Sequence, residues 1–170
     1  MPFTLFHLGP ALLLGEVFKR KADLISILLG SVVIDIRAAW CMFTGCRPLH
    51  GPLHTFAGAT LIALLLAWMV FSYRAQLQRA TGRTRIRQAP SFMPMLAGSL
   101  IGTWSHVLLD SFLYMDIMPL WPLTANPLFR TLDPGTVYML CILSFLPATG
   151  IYCYRHRKRG NGHVQAALRD

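Results

Sequence analysis

Long apolar runs alternate with short polar breaks along the chain, and most of the runs have the length of membrane helices. Residues 92–115 are apolar enough, and long enough, to cross a hydrocarbon core of about 30 Å, and they predict one spanning helix. Residues 55–73, TFAGATLIALLLAWMVFSY, contain no charge and predict another. Residues 24–43 predict a third, interrupted by Asp35 and Arg37, which stand two apart and so do not face one another on a helix. The plain reading of that run is a helix that ends early, with Arg37 at the membrane surface and Asp35 either beside it or within the membrane. Residues 137–154 predict a last span kinked at Pro147. Near the amino terminus, the run from Pro10 to Phe18 suits a helix start, but it is too short to span and predicts a half-membrane helix stopped by Lys19-Arg20-Lys21.

The pattern gives an all-α, polytopic membrane bundle of about four spanning helices plus a short N-terminal half-membrane helix. Residues 1–154 form one membrane-embedded domain and residues 155–170 a basic cytoplasmic tail. Between the helices, residues 44–54 are a turn region punctuated by Gly45, Pro48, Gly51 and Pro52. Residues 74–91 read as a basic loop facing solvent or lipid headgroups. Residues 116–135, broken by Pro119, Pro122, Pro127 and Pro134, read as an irregular interfacial loop with Trp121 at headgroup level, or as a cap over a site. The amino terminus lacks the positive n-region of a secretory signal, and no internal repeat of the kind common in transporters is visible.

Composition agrees with this picture: 54% of the 170 residues are hydrophobic and 14% charged, where a soluble domain carries about 25%. The net charge of +9 would suit nucleic acid, but its distribution argues for a membrane instead. Thirteen of the sixteen Lys and Arg fall into three clusters, 19–21, 74–87 and 155–169, each at the end of an apolar run. Such clusters mark the cytoplasmic side, so no nucleic-acid partner is expected and the bilayer is. Cys41, Cys46, Cys141 and Cys153 show no zinc-finger spacing; Cys41 and Cys46 can meet near an outer loop, and whether they bond is left open.

The polar residues inside the apolar runs carry the chemistry. His106 and Asp110 stand four apart and project from one helix face, where an imidazole and a carboxylate are expensive to bury. Following the chain with its basic clusters in the cytoplasm brings His7, His50 and His54 to the outer ends of their segments. Asp35 lies roughly 16 Å from Leu24 and His106 roughly 21 Å from Phe92, both in the outer half of the membrane. Histidines and aspartates converging on one leaflet make a ligand set for zinc or a similar divalent ion. Such an ion acidifies its bound water and polarises a phosphoryl or acyl oxygen, which points to hydrolysis of a lipid-embedded ester.

At FHLGPALLLG, LLGSVVID, LHGPLHTF and SHVLLDSFLY the chain resembles the LexA-regulated inner-membrane metal-dependent hydrolase family of bacteria, over about residues 3–127. That family is similar to the zinc-dependent phospholipase C and single-strand nuclease superfamily, all-helical proteins with a zinc cluster. The resemblance implies that Asp35, His54, His106 and Asp110 ligate one zinc ion, that Asp110 bridges towards a second near His7, and that His50 supports the site or serves as an alternate ligand. The usual His-Arg-Gly is absent here and the histidine spacing is one shorter, which leaves open which of His50 and His54 binds metal. Only Asp116 follows the H-x-x-x-D closely, so one or two ions are expected rather than three.

The function expected is therefore a metal-dependent hydrolase of the bacterial inner membrane that cuts a lipid-linked phosphoester or ester from the periplasmic side, with Asp110 or Asp116 as general base. The alternative is a non-enzymatic membrane protein, an ion carrier or scaffold, that uses the same cluster for transport or as a structural staple. The substrate and the oligomeric state are not legible from these residues.

Overall fold

The computed structural model describes residues 4–81 and 89–167, without the side chains of Thr4, His156 and residues 158–167. The expectation for residues 82–88 of the basic loop lies outside this description. Among the described residues the fold is all helix. A 3-10 turn, Thr4–His7, leads into α1 (Leu8–Val17). Then follow α2 (Leu24–Val33), α3 (Asp35–Thr44), a 3-10 turn Gly51–His54, α4 (Phe56–Ser72) and α5 (Arg74–Thr81). The long α6 (Phe92–Leu113) returns through the bundle, and α7 (Pro134–Leu143) and α8 (Phe145–Ala167) complete it.

Among the described residues three helical stretches are long and apolar enough to cross a membrane: Leu24–Thr44, Phe92–Leu113 and Pro134–Arg155. The α4–α5 pair adds a fourth if its 72° bend is counted within one span, and the N-terminal helix remains short. This agrees with the expected bundle and differs from it in three details. Residues 74–81 are helix, not loop: α5 turns sharply away after Tyr73 and buries none of its residues. The 24–43 run does not end early at Arg37, because the helical path continues from α2 through α3 to Thr44 and stops at Gly45 in the left-handed conformation, φ 75°. The last span is interrupted at Ser144, three residues before Pro147, and helix then continues past residue 154 to Ala167. Proline lacks the N–H that would have bonded the carbonyl of Leu143, which accounts for the break there.

The centre of the bundle is α6, against which α2 and α4 pack most extensively. Its buried residues are Met95, Gly98, Ser99, Gly102, Thr103, His106, Val107, Asp110 and Ser111, an uninterrupted three-and-four spacing that defines one face. Small residues let two backbones close on one another: a Cβ at Gly102 would lie 2.2 Å from the Ile27 carbonyl, and one at Gly30 would lie 2.9 Å from the Ser99 carbonyl. Membrane helices pack through such small-residue seams, since lipid supplies no hydrophobic drive for association. On the same face of α6, Val107 forms a buried layer with Ile34, at the end of α2, and Ala59 of α4. Leu61, Leu65 and Trp68 of α4 and Ile36, Trp40 and Phe43 of α3 are exposed, as expected of a lipid-facing surface.

Capping secures the helix ends. Asp23 accepts the Ser26 amide at 2.9 Å and starts α2, Thr55 accepts the Gly58 amide at 2.9 Å and starts α4, and Asp133 accepts the Thr136 amide at 3.1 Å and starts α7. The 116–133 segment is irregular, as expected, and folds back onto the end of α6. Asn126 donates to the carbonyls of Ser111 and Tyr114, and the Arg130 amide donates to Phe112. At the opposite end Glu16 is buried and accepts from Lys19 at 2.9 Å and Arg155 at 2.7 Å, so two of the basic clusters meet at one pole.

Candidate metal centre

The cluster residues arrive from four elements, each at a point where the chain is held. His106 and Asp110 stand one turn apart on the buried face of α6. Asp35 is the first residue of α3, brought to α6 by the glycine seam below it. His54 ends the 3-10 turn just before Thr55 caps α4, and His7 ends the turn that enters α1.

Asp35, His54, His106 and Asp110 each offer a ligand atom, and the four atoms all lie within 4.8 Å of one another. His106 Nε2 is 3.3 Å from both Asp35 Oδ1 and Asp110 Oδ2, and His54 Nε2 is 3.5 Å from Asp35 Oδ1 and 3.6 Å from Asp110 Oδ2. His7 approaches from the other side, with Nε2 3.2 Å from the second oxygen of Asp110 and its ring stacked on His106 at 4.0 Å. The Asp110 carboxylate is thus turned with one oxygen to His54 and His106 and the other to His7. The cluster is closed apart from Asp35, whose side chain is 15% exposed.

The hydrogen bonds of the two central histidines fix which nitrogen faces inward. His54 Nδ1 donates to the His50 carbonyl at 2.9 Å, and His106 Nδ1 donates to the Ser31 carbonyl at 2.7 Å. A carbonyl only accepts, so Nδ1 carries the proton, and in the neutral ring Nε2 is a bare lone pair. Both Nε2 atoms are buried without a hydrogen-bond partner, as are both ring nitrogens of His7 and Oδ1 of Asp110. Lone pairs of two imidazoles therefore face carboxylate oxygens in a dry interior, an arrangement that a cation between them would relieve. The spacing fits as well. Zinc at about 2.0–2.1 Å from four ligands puts those ligands about 3.3–3.4 Å apart along a tetrahedron's edges. The N···O separations of 3.3–3.6 Å match that better than they match charge-assisted hydrogen bonds of about 2.7–2.9 Å.

Of the other residues expected at the site, His50 and Asp116 stand beside the four-residue group and pair with one another. His50 Nδ1 is 2.9 Å from Asp116 Oδ1, its ring packs on Tyr114 at 4.3 Å, and its carbonyl orients His54. Asp116 is the more open partner, with its side chain 41% exposed. Burial pushes the Tyr114 hydroxyl well above the ordinary phenol range, reinforced by the Asp110 charge, so it stays protonated.

One feature escaped the sequence reading. Arg37 donates from Nη1 to the carbonyls of Pro48 at 2.8 Å and Leu49 at 2.9 Å, clamping the segment that carries His50 and His54 onto α3. Gly51, at φ 51°, leaves room for that guanidinium, which a Cβ would meet at 2.2 Å. A positive side chain inside an apolar run was the available signal, and it pointed to a helix end because its acceptors lie eleven and twelve residues away. The pair Cys41 and Cys46, whose bonding the sequence left open, forms a disulfide across the end of α3, at a Cα separation of 4.6 Å.

Among known proteins, the family model described as YdjM inner membrane protein matches residues 5–167. No curated protein and no solved structure matches the chain.

Proposed function

The chain belongs to the YdjM inner membrane protein family, and from that membership together with the buried His/Asp group we propose that it is a metal-dependent hydrolase of the bacterial inner membrane, acting on a lipid-linked phosphoester or ester. The observation that carries the proposal is the pair of buried, unpartnered Nε2 atoms of His54 and His106, held by backbone carbonyls to face Asp35 and Asp110. Two imidazoles and two carboxylates are a donor set that zinc takes readily, and the two carboxylates offset its charge. When bound, such an ion supplies Lewis acidity towards an ester oxygen and towards water.

The protein's own groups have distinct parts in this reading. Asp35, His54, His106 and Asp110 hold the ion, and the backbone of Ser31 and His50 keeps both imidazoles in the ligating tautomer. Asp110 turns Oδ2 to His54 and His106 and Oδ1 to His7, so His7 and Asp110 Oδ1 would accommodate a second ion. The proton-accepting role falls to Asp116, the exposed carboxylate tied to His50. Two features support a periplasmic site: the Cys41–Cys46 disulfide, since disulfides persist in the periplasm and not the cytosol, and the basic pole at Lys19 and Arg155 opposite it. A structural staple would be expected to close its His–Asp contacts to charge-assisted hydrogen-bond length, which these contacts exceed.

The test is hydrolysis by protein reconstituted in vesicles that contain phospholipid or an isoprenoid phosphate. Product formation is expected to stop with a chelator, to return with zinc, and to be absent in Asp35→Asn and His54→Ala. Metal-loaded protein that releases nothing from either lipid class overturns the proposal.

A further inference from the structure

A cavity of about 400 Å³ lies against the outer side of the segment that carries His50 and His54. Its walls include the rings of Pro48 and Pro52, the methyl of Ala57, and the side chains of Leu61, Met118 and Trp121. Thr55 also lines it, but its hydroxyl is spent: it donates to the Pro52 carbonyl and accepts the Gly58 amide, both at 2.9 Å. Among the described residues Asp116 is the sole ionisable group on the wall, and its carboxylate is engaged by His50. A polar ligand would find few free partners here. An aliphatic chain would lose nothing by entering and would remove apolar wall from water.

The position of the cavity tells which aliphatic chain is available. Leu61, 64% exposed, is at once a cavity wall and the top of the exposed apolar stripe that continues down α4 through Leu64, Leu65 and Trp68. Trp121 stands at the mouth, 61% exposed. The cavity is therefore continuous with the surface that α4 turns to the bilayer. Its inner wall is the strand of chain between Pro48 and Thr55 whose other side presents His54 to the cluster. We infer that this cavity receives one acyl chain of a membrane phospholipid, entering sideways from the bilayer, and so holds the apolar part of the substrate while the headgroup lies towards Asp116 and the cluster. The word substrate rests on the hydrolase reading; the binding of the chain rests on the cavity alone.

The experiment uses the full-length protein in vesicles of phosphatidylethanolamine and phosphatidylglycerol, doped with a phospholipid that carries a diazirine at the end of one acyl chain. After irradiation, adducts are located by mass spectrometry. They are expected to concentrate on Ala57, Met118 and Trp121 and to fall several-fold in Ala57→Leu, which fills the cavity from an exposed helical position. Met118→Trp, which fills it from the opposite wall, is expected to do the same, while adducts on Leu64 and Trp68 persist in both. Adducts spread evenly over cavity and lipid face, and indifferent to both substitutions, overturn the inference. So do crosslinks between two copies of the chain through these residues without lipid adducts, or labelling by an isoprenyl probe alone. Labelling needs neither metal nor turnover. Cavity-restricted adducts on protein that holds no metal would remove the hydrolase and leave the acyl-chain site standing; active, metal-loaded protein without them would remove the acyl-chain site alone.

Discussion

Placing a methyl group at Gly102 tests how the glycine seam builds the site without touching a ligand. The added Cβ would lie 2.2 Å from the Ile27 carbonyl oxygen and close to Gly30, both backbone positions that no side-chain rotation can clear. That is more than an ångström short of van der Waals contact, so α2 and α6 must move apart by about that much where they cross. His106 stands one turn further along α6, and Asp35 follows directly on α2, so the displacement falls on their 3.3 Å contact. Metal sites hold their distances within about 0.2 Å, so Gly102→Ala is expected to weaken metal binding about 10- to 100-fold, the scale seen when support around ligands is lost. Overpacking adds a stability loss of about 1–3 kcal/mol. Gly150→Ala is the control, since a Cβ there meets nothing within 4 Å. The assay is zinc affinity by chelator competition beside thermal unfolding in detergent. Gly102→Ala protein that binds zinc and melts like wild type would refute the reasoning.

Arg37→Met removes two charge-assisted bonds to the Pro48 and Leu49 carbonyls, and is expected to cost about 1.5–3 kcal/mol in unfolding and to speed metal release, whereas Arg37→Lys restores part of both. The carboxyl of Asp133 is held below the usual carboxylate range by hydrogen bonds from the Thr136 hydroxyl and amide. Its stabilisation is therefore complete above an ordinary aspartate pKa of about 4 and is lost as pH falls through the lowered value; Asp133→Ala should melt earlier at neutral pH and lose that difference in acid. In spheroplasts, a membrane-impermeant thiol reagent is expected to label Cys41 and Cys46 only after reduction, and Cys153, exposed near Arg155, only after the membrane is opened. Labelling of Cys153 in intact spheroplasts would reverse the orientation.

Polar residues stand out in a membrane chain because each one is costly, which is why His7, Asp35, His54, His106 and Asp110 could be gathered from the sequence before any contact was known. The spacing of His106 and Asp110 already specified a shared helix face, and α6 buries that face. What escaped depends on partners far along the chain. Arg37 reads as a helix end until the carbonyls of Pro48 and Leu49 are seen to receive it. The sequence leaves His50 as a supporting residue or an alternate ligand, and its contact through Nδ1 with Asp116, sixty-six residues on, is seen only in the fold. Residues 74–81 look like loop because arginine and glutamine carry no apolar face, and the structure indeed buries none of them although they are helical. Gly98 and Gly102 stand four apart, but nothing in the sequence identifies Ser26, Ile27 and Gly30 of α2 as the residues they pack against.

The measurement that bears most directly on the central claim is metal content by elemental analysis of detergent-purified protein, beside folded His106→Ala and Asp110→Ala variants. The account predicts one or two zinc ions per chain in the wild-type protein and their loss in both variants. Wild-type protein that holds no transition metal, even after reconstitution with zinc or manganese, would contradict it and return the cluster to a structural or transport role.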